Sequence, residues 1–305
     1  MCRLGEVSRA GYYRRWRAKK PGEEETALRD RLQTFALAHR HYGYRRIGVL
    51  LRREGWQANN KRVLRLMRAD NLLCLRRRAF VPPTTDSKHR WHVWPNLVRW
   101  IQTTGMNQVW VADITYVRLQ EEFVYLAVVL DAHSRRVVGW AIERHLGTIL
   151  ALRALQIALD SRRSEPGMIH HSDRGIQYAC SEYVAILLQH GIQISMSRVG
   201  NPYDNAKAES LIKTLKQEEI NGSSYRNYDH LVQSIAGFIE NVYNRRRLHS
   251  ALGYQSPNEY EETLLKAKAG TTLLSVGEGG WLPPSPTPPT PAQTCLSVPG
   301  FLVSP

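Results

Sequence analysis

A chain of 305 residues is long enough for one sizeable core with one or two small modules beside it. It carries 42 Lys+Arg against 27 Asp+Glu, a formal +15, and 24 of those cations but only 8 of those acids fall in residues 1–100. A basic footprint confined to the first third points to a polyanion partner, and no apolar run approaches the roughly 20 residues that would span a bilayer, which excludes a helical membrane protein.

Residues 1–20 are basic and aromatic (Tyr12, Tyr13, Arg14, Arg15, Trp16, Arg17, Lys19, Lys20), and Pro21-Gly22 punctuates them. A helix is expected over 23–38, because Glu23 to Glu25 complement the dipole at its start. His41-Tyr42-Gly43-Tyr44 reads as a turn. A second helix follows with Ile47, Leu50 and Leu51 on its apolar face, and Gly55 ends it. Asn59 or Asn60 can cap a third, in which Val63, Leu64 and Met67 face inward and Lys61, Arg62, Arg65 and Arg68 outward. Two short helices joined by a turn, the second rich in Arg, spell a helix-turn-helix that can enter a major groove. The competing reading is a small bundle with a solvated basic face. Arg76-Arg77-Arg78 extends the positive surface and favours DNA. Residues 1–78 thus form a DNA-binding module, and the aperiodic 79–105, with Pro82, Pro83 and Pro95, forms a linker.

The pattern changes at Asn107. Strands are expected over 109–117, 123–132 and 136–143, then a helix over 146–163. A short strand over 167–171, a helix over 181–190 and a strand over 192–197 follow. The last long helices are expected over 205–220 and 228–247. The order βββαβαβα, with helices available for both sheet faces, predicts a ribonuclease H-like mixed α/β core over 106–265, behind the all-α module. Residues 266–305 form a Pro-rich tail, expected to be disordered and without function; eight prolines fall in 269–305. One hypothesis is that the tail is translated from beyond an ancestral stop.

Three acids stand out: Asp113 in Val-Trp-Val-Ala-Asp-Ile-Thr-Tyr, Asp173 in His-His-Ser-Asp-Arg-Gly, and Glu209 in Asp-Asn-Ala-Lys-Ala-Glu-Ser. The first two are expected at strand-like ends and the third on a helix. Carboxylate oxygens are hard ligands that suit Mg²⁺ or Mn²⁺, and metal ions so held activate one oxygen and stabilise another in phosphoryl transfer. Three acids cannot stay close and ionised without cations. Any one alone would be an ordinary cap or surface charge. Glu209, Lys213 and Lys216 recur at i, i+4 and i+7 and share a helix face, so Lys213 and Lys216 are expected to meet DNA drawn to the acids. Asp131 reads as a turn former and Asp204 as a helix cap, while Asp160 belongs to no acidic group. His170 and His171 either orient a ligand or touch DNA, or are satisfied edge-strand histidines; His133 is less committed still. Cys2, Cys74, Cys180 and Cys295 are too scattered for a zinc knuckle and fit a reducing cytoplasm. The N-terminus has no apolar signal core.

At these residues the chain resembles the OrfB-type catalytic protein of IS3-family insertion sequences, transposases of the DDE retroviral-integrase superfamily. The matching stretches are 109–116, 130–140, 171–178, 200–210 and 243–254, with His-Tyr-Gly-Tyr-Arg-Arg-Ile at 41–47 and a gap of 35 residues between Asp173 and Glu209. The resemblance implies Asp113, Asp173 and Glu209 as metal-binding catalytic residues and Lys216 as the basic residue seven positions on. It implies hydrolysis at an element end to free a 3′ hydroxyl, which then attacks a second DNA strand, with no covalent enzyme intermediate. It also implies a homo-oligomer on DNA and an upstream OrfA-type partner fused by frameshifting. The chain starts at its own Met1 without a long heptad run, so it is expected to be the catalytic portion of such a fusion. The Pro-rich tail departs from the family pattern. Two other functions compete: a DNA-binding regulator with relic acids, and a simple nuclease of the same fold. A retroviral integrase is disfavoured by the missing His-His-Cys-Cys module.

Overall fold

The computed structural model describes residues 8, 22–74, 91–120, 122–198 and 204–276. The basic aromatic start apart from Ser8, Arg76-Arg77-Arg78 and residues 277–305 lie outside the described residues. By its internal contacts the chain divides into two units, Met1–Thr263 and Leu264–Pro305.

Helix α1 (Glu23–Ala38) opens on the three glutamates and buries Leu28, Leu32 and Ala36, four residues apart along one face. Helix α2 (Tyr44–Arg53) buries Ile47, Gly48 and Leu51, and α3 (Asn60–Ala69) buries Val63, Leu66 and Met67. Asn59 caps α3 by accepting from the Arg62 amide at 2.7 Å, a contact whose loss typically costs about 1 kcal/mol. The three helices close a core that also takes in Tyr42 and Leu248. The Leu248 amide donates to the Tyr42 hydroxyl at 2.9 Å, 206 residues away in sequence. Arg46 Nε donates to the Leu248 carbonyl at 2.9 Å, and Arg53 forks onto the Glu259 carboxylate at 3.1 Å. Residues 41–47, expected only as a turn and helix start, therefore also fasten the helical module to the segment 246–259.

The sheet holds β1 (Val109–Arg118), β2 (Phe123–Asp131), β3 (Val137–Glu143), β4 (Ile169–Ser172) and β5 (Gln193–Met196) in the order β3-β2-β1-β4-β5. β1, β2 and β3 form an antiparallel meander, while β4 runs parallel to β1 and β5 parallel to β4. Both faces are covered, as expected of a ribonuclease H-like core. Helices α4 (Thr148–Ser161), α5 (Ile176–Ala179) and α6 (Ser181–Gln189) pack over Trp110, Ala112 and Val129. Helices α7 (Ala206–Glu218) and α8 (Tyr228–Gly237) pack over Val109, Val111 and Val128. Gly139 lets β3 meet α4 backbone to backbone: a Cβ there would stand 2.2 Å from the Ala154 carbonyl oxygen.

The expected helix 228–247 is shorter. After α8 the chain widens into a π-helical run, Phe238–Tyr243, closed by the Asn244 amide on the Ile239 carbonyl. The extra residue per turn delivers the buried Asn244 side chain to both backbone groups of Val137, at 3.0 and 3.1 Å. A last helix, α9 (Pro257–Val276), extends past residue 265, where the core was expected to end.

Candidate active site

Strand parity determines where Asp113 points. Val109, Val111 and Val117 lie on the sheet face under α7, and Asp113 shares their parity. It sits in the middle of β1, not at a strand end as expected, and is partly exposed. The parallel register pairs Val111 with His171. Two further residues along each strand set Asp173 beside Asp113, with neighbouring strands about 4.8 Å apart. β4 stops at Ser172, so Asp173 lies just beyond its end as the sequence suggested. The Gly175 amide donates to Asp173 Oδ1 at 2.9 Å, and a Cβ on Gly175 would stand 3.0 Å from that oxygen. Glycine is what allows the chain to turn so tightly around the carboxylate.

Glu209 arrives from the third direction. It is exposed in the first turn of α7, whose other faces anchor Ala208, Leu211 and Leu215 in the core. Asn205, buried at the helix start, donates from Nδ2 to the Ala112 carbonyl at 3.0 Å, and its own carbonyl accepts from the Glu209 amide at 3.1 Å. One side chain thus ties α7 to the residue preceding Asp113. Sequence reading placed Asn205 only at a helix start; its buried amide is the positioning contact.

The electrostatics follow from this convergence. Burial, then the Asp173 and Glu209 carboxylates, push the Asp113 carboxyl up to about 8, against the Ile114 amide and Lys216. Burial also raises Glu209. Lys216 Nζ lies 4.3 Å from the centre of the Tyr116 ring, a cation–π contact. Burial depresses its pKa, and Asp113 opposes that. Lys216 therefore borders the acids, while Lys213 is exposed three residues earlier on α7. Among the described residues, no three acidic, histidine or cysteine side chains stand close enough to hold a metal ion as they are.

Sequence reading did not single out Tyr178. Its hydroxyl is buried and without a hydrogen-bond partner, and burial, Tyr183, Asp173 and Asp113 in that order raise its pKa well above the usual phenol value. It is a donor held near two carboxylates.

The other expectations sort as follows. Asp131 is a turn former, accepting from the amides of Asn107, His133 and Ser134 at 2.7 to 2.9 Å. Asp204 does not cap α7. It accepts from Arg198 through Nε and Nη2, both at 3.0 Å, and this fork holds its carboxyl well below the usual range. His170 and His171 are satisfied core residues, and β4 is an interior strand, not an edge. His170 Nε2 meets the Tyr183 hydroxyl, and His171 bridges Ser195 and Ser197. On α3, Arg62 pairs with Glu24 at 3.3 Å and Arg65 with Glu25 at 3.4 Å. Arg68 is exposed.

Comparison with known proteins gives a concordant picture. Residues 103–202 and 190–257 match two models described as Integrase core domain, and residues 23–80 match an HTH-like domain. The chain is 39% identical over 267 residues to the insertion element IS600 uncharacterized 31 kDa protein of Shigella sonnei, covering 86% of this chain and 97% of that protein. It is 38% identical to the transposase for insertion sequence element IS904 of Lactococcus lactis, covering 81% and 98%. It is 36% identical to the transposase InsF for insertion sequence IS3A of Escherichia coli, covering 86% and 92%. Among solved structures, a chain of the simian T-cell lymphotropic virus intasome is similar at 16% identity and a TM-score of 0.43, covering 85% of this chain and 80% of that one. The HTLV-2 integrase catalytic core domain in complex with magnesium is similar at 15% identity and a TM-score of 0.39, covering 51% and 95%.

Proposed function

The chain belongs to the insertion-sequence transposases, polynucleotidyl transferases with an integrase core behind an HTH-like region, and on that premise we propose a metal-dependent site at Asp113, Asp173 and Glu209. The three carboxylates would hold Mg²⁺ or Mn²⁺, for which hard oxygens are suited. When bound, the cation activates an attacking oxygen and stabilises a leaving one. The observation that carries this reading is the convergence of the acids: the β1–β4 register sets Asp173 beside Asp113, Asn205 ties the start of α7 to Ala112, and burial and the neighbouring carboxylates raise the Asp113 carboxyl. A divalent cation resolves the conflict that raises it.

The protein's own groups then have separable tasks. The Gly175 amide orients Asp173, and Asn205 holds α7 so that Glu209 faces β1. Lys216 and Lys213 draw the scissile phosphate toward the acids. Arg62, Arg65 and Arg68 of α3 contact the DNA backbone, the first two by exchanging Glu24 and Glu25 for phosphate. Water first attacks a phosphodiester at the element end and frees a 3′ hydroxyl. That hydroxyl attacks a phosphodiester in the second strand, so one P–O bond forms for each one broken. In this reading residues 1–78 recognise DNA, 79–105 link, 106–265 carry the chemistry and 266–305 are dispensable. At least two copies act together on DNA in the cytoplasm, with an upstream OrfA-type partner as a frameshift fusion.

The test uses the purified chain, a supercoiled plasmid bearing the element's two ends, and Mg²⁺ or Mn²⁺. End nicking followed by strand joining, both lost in Glu209→Gln, is expected. Absence of both reactions, with the chain alone and fused to its upstream partner, would overturn the reading.

A further inference from the structure

A cleft of about 810 Å³ opens between the helical module and α7. Its walls carry Arg40 and Arg46 from the module, Lys213 from α7, Arg135 from the β2–β3 turn, and Arg247. Glu218 is the one carboxylate on the lining, and Arg247 occupies it with contacts of 2.8 to 3.1 Å. Among the described residues no carboxylate pairs with Arg40, Arg46, Arg135 or Lys213. Burial lowers the pKa of both Arg46 and Arg135; Glu218, already held by Arg247, acts on Arg46 only at longer range, so these guanidinium groups are partly out of water with no carboxylate of their own among the described residues. That arrangement is unfavourable unless an anion enters.

The position of the cleft narrows the choice of anion. Ser210, Lys213, Thr214 and Gln217 line it at i, i+3, i+4 and i+7, one stripe of α7. Glu209, Lys213 and Lys216 form the adjoining stripe, and Lys213 belongs to both. Cleft and acids therefore adjoin along one helix, with Lys213 between them. The cations come from four separate chain segments rather than from one nest of backbone amides, which suits an extended polyanion better than a single small phosphate.

We propose that this cleft binds the phosphodiester backbone of the DNA strand that runs from the acidic site, with the helical module supplying one wall. The assignment rests on the transposase reading. The Tyr42 and Arg46 bonds to Leu248 then have a function beyond stability, because they hold that wall in place.

Cys74 lies on the cleft and is partly exposed, whereas Cys180 is buried. DNA duplexes of the element end, each with a thiol tether on one phosphate, are scanned for disulfide formation with the full chain. With Cys2 and Cys295 replaced by Ser, cross-linking should be confined to a few consecutive phosphates near the cleaved bond and vanish when Cys74→Ser is added. Arg40→Glu, at an exposed position that folding tolerates, should weaken end binding at least tenfold and lower the slope of log K against log salt by about one. Even cross-linking along the duplex, with Arg40→Glu binding as the parent does, would overturn the assignment while leaving end nicking by the parent intact. If the parent neither binds nor nicks the ends, the transposase reading fails and takes the cleft with it.

Discussion

Two groups of carboxylates in this molecule are treated in opposite ways. Asp131 and Glu261 are buried and fully compensated. Three backbone amides serve Asp131, while Glu261 takes Arg162 at 2.6 and 2.7 Å and Arg136 at 3.0 Å. Burial alone would raise Glu261, but hydrogen bonds from Arg162, Ser134 and Arg136 hold it below its usual range. Asp113, Asp173 and Glu209 converge with Lys216 as the nearby cation, and Asp113 is pushed up to about 8. An acid that serves the fold brings its countercharge with it, whereas burial and neighbouring carboxylates raise Asp113.

The largest effect is on chemistry. Asp113→Asn, Asp173→Asn and Glu209→Gln should each reduce end cleavage by roughly 10²–10³-fold or more, a scale set by removal of one group that acts on developing charge. Filter binding should show DNA affinity unchanged. A variant that still cleaves removes its residue from the metal-binding set.

On the compensated side the same kind of change should damage folding. Arg162→Met strips Glu261 and Asp131 of their shared partner, and breaking a buried pair in this way costs about 3–5 kcal/mol. Urea denaturation of the full chain should show that loss. A change under about 1 kcal/mol would mean that Arg136 and the amides suffice and that Arg162 is incidental.

The distinction between the two groups was only partly legible in the sequence. Strands β1 to β3 were plain because runs such as Phe-Val-Tyr-Leu-Ala-Val-Val-Leu at 123–130 are β-rich and bounded by polar turns. The three acids proposed for the site were picked out from local context and spacing. What was hidden depends on partners far away in sequence. Nothing near Glu261 indicates that Arg162 occupies it, and nothing near Tyr42 names Leu248. The register that sets Asp173 beside Asp113 is a property of the sheet, not of either strand. Helix α9 is a different kind of omission, because its signal was local. Ser256-Pro257-Asn258-Glu259 is a reciprocal cap, with the Ser256 amide on Glu259 at 2.9 Å and the Glu259 amide on Ser256 Oγ at 3.3 Å.

A smaller effect sharpens the contrast through pH. In metal-free protein the folded Asp113 keeps its proton up to about 8, whereas the unfolded chain releases it near the ordinary value of 3.8. Between those values the folded state binds more protons, so this group's contribution to stability declines as pH rises through the window. Asp113→Asn should remove that decline and stabilise the metal-free protein near pH 8. Denaturation in EDTA at pH 5 and pH 8 reads both changes. Mn²⁺ should raise the melting temperature of the parent and leave that of Asp113→Asn in place. An equal pH response in the two proteins would mean that Asp113 is ionised throughout.

The smallest effect concerns α3, where compensation is present but weak. Arg62 and Arg65 face Glu24 and Glu25 at 3.3 and 3.4 Å across an exposed surface, and such pairs contribute about 0–1 kcal/mol. They lie between the two extremes, neutralised in the free protein yet cheaply released. Replacing Arg62, Arg65 and Arg68 together by Ala should therefore leave the denaturation midpoint nearly unchanged. If the three meet DNA, the slope of log K against log salt should flatten by about 0.9 per lost phosphate contact. An unchanged slope would remove α3 from the DNA interface and make its pairs with α1 structural, like those of Glu261. A lowered midpoint with the slope intact would say the same, since only a cation that exchanges its carboxylate for phosphate can be lost without cost to the fold.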